Sequence, residues 1–71
     1  MSKVERIIQE SKQTFRKEEG MFKTTYHIGG IKVVETTQYI EIHDAHEHYG
    51  SPITDKALEY LRCVLDKHNG D

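Results

Sequence analysis

The feature that most constrains the fold is a pair of glycines between two segments rich in β-branched and aromatic residues. Gly29 and Gly30 form the pair, and the flanking segments are 22–28 and 31–35. Two-residue hairpin turns need positive φ angles, which glycine adopts without steric cost. With these glycines as the turn, Ile28 faces Ile31 on the opposite strand. The pattern therefore predicts an antiparallel hairpin.

The alternation in the hairpin predicts one apolar face and one largely polar face. The apolar face would carry Phe22, Tyr26, Ile28, Ile31 and Val33. Beyond the hairpin, the apolar positions change parity between Val33 and Ile40, which a single flat strand does not allow. Either a bulge lies near 34–37, or the chain turns at 36–38. The turn is favoured, and strands are predicted at about 21–28, 31–36 and 39–43.

Helical spacing of apolar residues predicts two helices. Ser2 and Glu5 have the form of a capping box, and the apolar stripe that follows, with Gly20 as the stop, predicts a first helix over about 3–18. A second stripe predicts a helix over about 55–68, with Thr54 or Asp55 as its N-cap. The first stripe contains Val4, Ile7, Ile8, Ser11 and Phe15; the second contains Ala57, Leu58, Leu61, Val64 and Leu65.

The polar segment 43–52 is rich in histidine and ends in Gly-Ser-Pro, so it is predicted to be a loop. The element order is then α-β-β-(β)-α. This order predicts an α+β fold: a small two-layer sandwich with a two- or three-stranded antiparallel sheet and both helices on one face. Residues 1–71 are expected to form one small domain.

Composition limits how such a domain is stabilised and where it works. A chain of 71 residues with one cysteine has no internal disulfide, so idealised packing, a partner subunit or a metal ion must supply the stability, and a homo-oligomer is expected. The lone thiol and the absence of a signal-like or membrane-spanning segment predict a cytoplasmic protein that does not contact membranes.

The densest group of chemically active side chains is His43, His46 and His48. Imidazole is a preferred zinc ligand, so these three residues form a candidate zinc site, with His27 as a fourth ligand. The spacing matches no standard metal motif, and a solvated loop or a contact sensitive to pH is the alternative. No cofactor is expected unless this loop binds zinc.

Protein binding is the principal functional prediction, because no catalytic set is present and 71 residues enclose little space for a substrate. Tyr39, His43 and Tyr49 are predicted to form a binding patch, and Arg6 and Arg16 lie on the charged face of the first helix. The chain is interpreted as a regulator, adaptor or inhibitor rather than an enzyme, and a phage or mobile-element origin is compatible with its size and charge. Its partner is not identified by the sequence.

Nucleic-acid binding ranks third, after protein binding and metal binding or sensing. Residues 1–32 hold seven Lys/Arg against four Asp/Glu, whereas 33–71 hold three against eight. The basic residues of the first part could contact phosphates: Arg6, Lys12, Arg16, Lys17, Lys23 and Lys32. The net charge of −2 makes nucleic acid an unfavourable partner for the chain as a whole.

Overall fold

The α+β class is confirmed by the computed structural model, which describes residues 2–45 and 47–69 and, for Asn69, only the backbone. Within these residues the chain forms two helices and one five-stranded antiparallel sheet. The elements are α1 (Lys3–Glu10), β1 (Arg16–Glu19), β2 (Thr24–Ile28), β3 (Ile31–Glu35), β4 (Tyr39–His43), β5 (His48–Pro52) and α2 (Asp55–Asn69). The strands lie in the sheet in chain order, so every connection joins neighbours.

The predicted hairpin is the β2–β3 unit. Ile28 pairs with Ile31, and Gly29 has a φ angle of 56°, as the tight turn requires. The predicted third strand is also confirmed as β4. The turn before β4 is closed by Thr36, whose backbone N–H donates to the Tyr39 carbonyl at 2.9 Å. This turn separates the two parities of apolar residues and makes a bulged long strand unnecessary.

The first helix ends at Glu10 and is therefore shorter than the predicted helix over 3–18. The Ser11 hydroxyl donates to the Ile8 carbonyl at 2.6 Å, and Lys12 then adopts a left-handed backbone with φ of 61°. Side chains such as serine compete with the helical hydrogen bonds in this way. Phe15 still packs on the core, but from the segment that leads into β1.

The left-handed backbone of Lys12 should make this position sensitive to substitution by glycine. Side chains with a Cβ are disfavoured in the left-handed region, whereas glycine is common immediately after a helix. We therefore expect Lys12→Gly to raise the free energy of unfolding by about 0.5–1 kcal/mol, part of the gain being offset by the more flexible unfolded chain. Urea unfolding measures this change, with the exposed Lys56→Gly in α2 as a control that should lower stability. A decrease for both variants would contradict the capping role of position 12.

Two further boundary predictions are wrong. The predicted loop 43–52 contains β5, which pairs with β4 and extends the sheet beyond the predicted three strands. Gly50 and Pro52 of β5 are uncommon in strands, so the sequence predicts a loop there, although an edge strand tolerates proline. The strand predicted at 21–28 begins only at Thr24, because the preceding residues form the β1–β2 turn.

The core is one cluster of buried side chains contributed by both helices and by β2, β3 and β4. Its fully buried members with the largest side chains are Tyr26, Ile8, Ile28, Ile31, Ile40, Ile42, Leu61 and Leu65. Both predicted N-caps are present, since the Ser2 hydroxyl accepts from the Glu5 N–H at 3.0 Å and the Thr54 hydroxyl from the Ala57 N–H at 3.2 Å. Neither helix in the described part of the chain has the length and apolar content needed to cross a membrane.

Candidate functional site

The candidate site lies on β4 and β5. Along β4, Ile40 and Ile42 are buried, so the alternating residues Tyr39, Glu41 and His43 belong to the opposite face of the sheet. We call this the outer face. His43 pairs directly with His48 of β5, which places the two imidazoles side by side on the same face.

Glu41, His43 and His48 form a compact group, called here the Glu-His-His cluster. One carboxylate oxygen of Glu41 lies 3.1 Å from Nε2 of His43 and 3.6 Å from Nε2 of His48. The two imidazole rings are stacked, with centroids 4.1 Å apart and an interplanar angle of 22°. Both imidazoles therefore direct the same nitrogen toward one carboxylate.

The electrostatics of the cluster favour an ionised carboxylate. A hydrogen bond from His43 is the main cause of a Glu41 pKa below its ordinary value. The hydroxyl of Tyr39 also interacts with this carboxylate, and that hydrogen bond raises the pKa of Tyr39. Glu41 is thus an anion at neutral pH, in contact with three polar side chains of the outer face.

A second acid–imidazole pair on the same face offers a comparison. His27 of β2 and Glu18 of β1 approach to 3.0 Å between Nε2 and a carboxylate oxygen. This pair contains one imidazole instead of two. Any property that needs two imidazoles and a carboxylate should therefore belong to the Glu-His-His cluster and be absent from the pair on β1 and β2.

The register aligns nitrogen-bearing side chains across all five strands. Each member of the row is paired with the next on the adjacent strand: Arg16, His27, Lys32, His43 and His48. Two carboxylates, those of Glu18 and Glu41, lie within 3.6 Å of members of this row. The outer face therefore carries a polar band of mixed charge and contrasts with the buried face.

The structure brings together only some of the residues proposed for a binding patch. Tyr39 and His43 share the outer face, and Tyr39 is 42% exposed. Tyr49 is half-buried and stacks on Tyr60 of α2, with ring centroids 4.2 Å apart, so it lies away from the other two. Arg6 is an exposed residue of α1.

The structure brings together two of the four predicted metal ligands. His43 and His48 meet as described, but on two strands instead of within a loop. His46 lies outside the described residues. His27 belongs to β2 and is separated from His43 by Lys32 of the intervening strand, so it does not complete a cluster of four.

Two of the basic residues proposed for phosphate contacts are paired with carboxylates. Lys17 bonds to Glu5 at 2.8 Å and to Glu19 at 3.1 Å, and these contacts raise its pKa. Arg16 belongs to β1 instead of the first helix, and it pairs with Glu18 at 3.0 Å. Carboxylates therefore compensate these two cations, which weakens the case for a phosphate-binding face.

Sequence reasoning missed three residues of functional interest. Glu41 is a member of the Glu-His-His cluster, and its position two residues before His43 in a predicted strand was the available signal. Met21 and Phe22 are 89% and 84% exposed in the β1–β2 turn, although Phe22 was predicted to face the core. No local pattern distinguishes an apolar residue of a turn from one of a strand when the strand boundary is misplaced.

Comparison of the chain with protein families, with characterised proteins and with solved structures finds no significant match.

Proposed function

We propose that this chain is a small module that acts by binding another protein, with the tip of the β1–β2 hairpin as its hydrophobic anchor. The observation that carries the proposal is the exposure of two adjacent large apolar side chains, 89% for Met21 and 84% for Phe22. Single exposed apolar residues are ordinary, but these two are adjacent in the chain and line the same depression. Aromatic residues and methionine are enriched in protein interfaces.

The turn presents this anchor in an ordered way. The Gly20 N–H donates to the Lys23 carbonyl at 2.7 Å, and this bond closes the turn around Met21 and Phe22. Beside the pair lies an open depression of about 460 Å³, whose other wall is formed by Glu35, Thr36 and Thr37. A partner that accepts the two apolar side chains would also meet these polar groups, as in interfaces with an apolar centre and a polar rim.

The layering supports a module with one free face. We infer that both helices cover the same side of the sheet, because their buried side chains join one cluster with Tyr26, Val33 and Ile42, whose sheet positions are paired in one row. The outer face, including Tyr39, is then available for contact. The free thiol of exposed Cys63 supports a reducing compartment such as the cytoplasm.

The proposal is tested by capture of partners from a lysate of the source organism and by native mass spectrometry of the purified chain. The test variant is Met21→Ser/Phe22→Ser, and the control is Gln38→Ser, at an exposed residue of the neighbouring turn that does not line the depression. We expect the test variant to weaken partner capture about tenfold or more, because loss of an anchor costs about 2 kcal/mol or more. Both variants should keep the unfolding free energy within about 0.5 kcal/mol of the parent, since these side chains are exposed.

Native mass spectra show whether the partner is a second copy. A dimer that the test variant loses and the control keeps would identify self-association through the hairpin tip. A partner bound equally by parent, control and test variant would contradict the proposed anchor. A parent chain that captures no protein and stays monomeric would contradict the binding function itself.

A further inference from the structure

We infer that Glu41, His43 and His48 form a binding site for Zn²⁺ or a closely related divalent transition metal. Two imidazole nitrogens and one carboxylate oxygen are a recurrent donor set for zinc with three protein ligands. In the described part of the chain, these three potential ligand atoms lie within 4.8 Å of one another. This site shares no residue with the hairpin tip of Met21 and Phe22, which is proposed to bind a protein.

Two of the three distances within the cluster are close to the edges of a metal tetrahedron. Zinc bonds to nitrogen and to carboxylate oxygen are about 2.0–2.2 Å long, so neighbouring ligands of a tetrahedral site lie about 3.3–3.6 Å apart. The Glu41 oxygen is 3.1 Å from Nε2 of His43 and 3.6 Å from Nε2 of His48. Rotation of the two stacked imidazole rings would then direct both nitrogens toward an ion held beside the Glu41 carboxylate.

The backbone already holds the ligands on one face. His43 and His48 are directly paired across β4 and β5, and Glu41 is two residues before His43 on the same strand. Little chain entropy remains to be lost when an ion binds, because the strands fix the spacing of the three side chains. This differs from a site in a flexible loop, which must be ordered by the metal.

The number of ligands leaves the site open to a further group. Three protein ligands leave a fourth tetrahedral position for water or for a side chain of a bound protein. The exposed position of His48 leaves the cluster accessible to ions from solution.

The test is zinc titration of untagged protein that has been treated with a chelator, followed calorimetrically and by thermal unfolding. We expect one Zn²⁺ per chain and an affinity that falls at least about 10- to 100-fold in both Glu41→Gln and His48→Ala, because removal of a direct ligand costs at least as much as removal of a group that only orients one. Zinc in excess should raise the unfolding midpoint of the parent, because it binds the folded chain, and it should do so much less for these variants.

Matched controls come from the pair on β1 and β2. His27→Ala and Glu18→Gln change an imidazole and a carboxylate of the same face, 3.0 Å apart, and should leave zinc affinity within about twofold of the parent. Equal losses in the control and cluster variants would overturn the site. So would failure of the parent to bind zinc more tightly than His43→Ala/His48→Ala. Loss of binding in His46→Ala but not in Glu41→Gln would place the ion elsewhere and also overturn it.

Discussion

Tyr26→Ala is expected to lower the free energy of unfolding by about 4 kcal/mol, the largest effect of any single substitution considered for this chain. Tyr26 is 1% exposed, and its ring packs against Phe15 with centroids 6.1 Å apart. Truncation removes this packing and leaves a cavity between sheet and helix side chains. A domain of this size has a total stability of about 4–10 kcal/mol, so the variant should be largely or wholly unfolded at elevated temperature.

Urea unfolding followed by circular dichroism measures the effect, and Tyr26→Phe separates the ring from the hydroxyl. The hydroxyl of Tyr26 donates to Glu35 at 3.3 Å, and the Ser2 hydroxyl donates to the same carboxylate oxygen at 3.1 Å. Removal of the Tyr26 hydroxyl should lower the free energy of unfolding by only about 1 kcal/mol, as for a typical single hydrogen bond. Equal losses for the two variants would show that the hydroxyl, and not the ring, dominates this position.

Tyr26→Phe should also change how the stability depends on pH in alkaline solution. Burial raises the pKa of Tyr26 above its ordinary value of 10.0, so the folded chain retains this proton at a pH where the unfolded chain loses it. A raised pKa in the folded state contributes stability that is present below pH 10 and decreases as the pH rises further. The slope of stability against pH in this range should therefore be smaller for Tyr26→Phe than for the parent.

The second large effect is expected for Leu61→Ala, at about 3 kcal/mol. Leu61 is fully buried in the middle of α2, and with Ala57 and Leu65 it belongs to the core cluster. Removal of its side chain leaves a cavity where the helix contacts the rest of the core. Because α2 is the longer helix, its loss of packing should affect the whole cooperative transition and be visible to every spectroscopic probe.

Leu58→Ala is the matched control for this prediction. It is the same substitution on the same helix, but Leu58 is only half-buried at the edge of the core. Since the cost of truncation depends on the apolar area buried and on the cavity left behind, this variant should lose clearly less stability than Leu61→Ala. The reverse order in urea unfolding would show that α2 packs through a different face.

These stability variants also bear on the functional proposals. Met21, Phe22 and the Glu-His-His cluster contribute no side chain to the buried core, so their substitution should change binding without a comparable loss of stability. Tyr26 and Leu61 should behave in the opposite way, with effects on binding that follow the folded fraction. The two sets of variants can thus separate a defect in a binding surface from a defect in the fold.

Local patterns in the sequence determined the central hairpin and the second helix. Gly29 and Gly30 set the turn, and the alternation on either side set the pairing of Ile28 with Ile31. The apolar stripe of α2 set both its position and its buried face. These features were predictable because their signals come from residues close together in the chain, where backbone geometry alone fixes which side chains share a face.

The tertiary structure decided the ends of elements and the candidate sites. The end of α1 depends on Ser11 and Lys12, β5 exists as a strand through its pairing with β4, and the exposure of Phe22 depends on where β2 begins. His43 and His48 were predicted as metal ligands from the sequence. The pairing of β4 with β5 is what brings Glu41 close to both of them. Pairing between strands and the packing of helices on a sheet are non-local interactions, which override weak local preferences and determine which side chains meet.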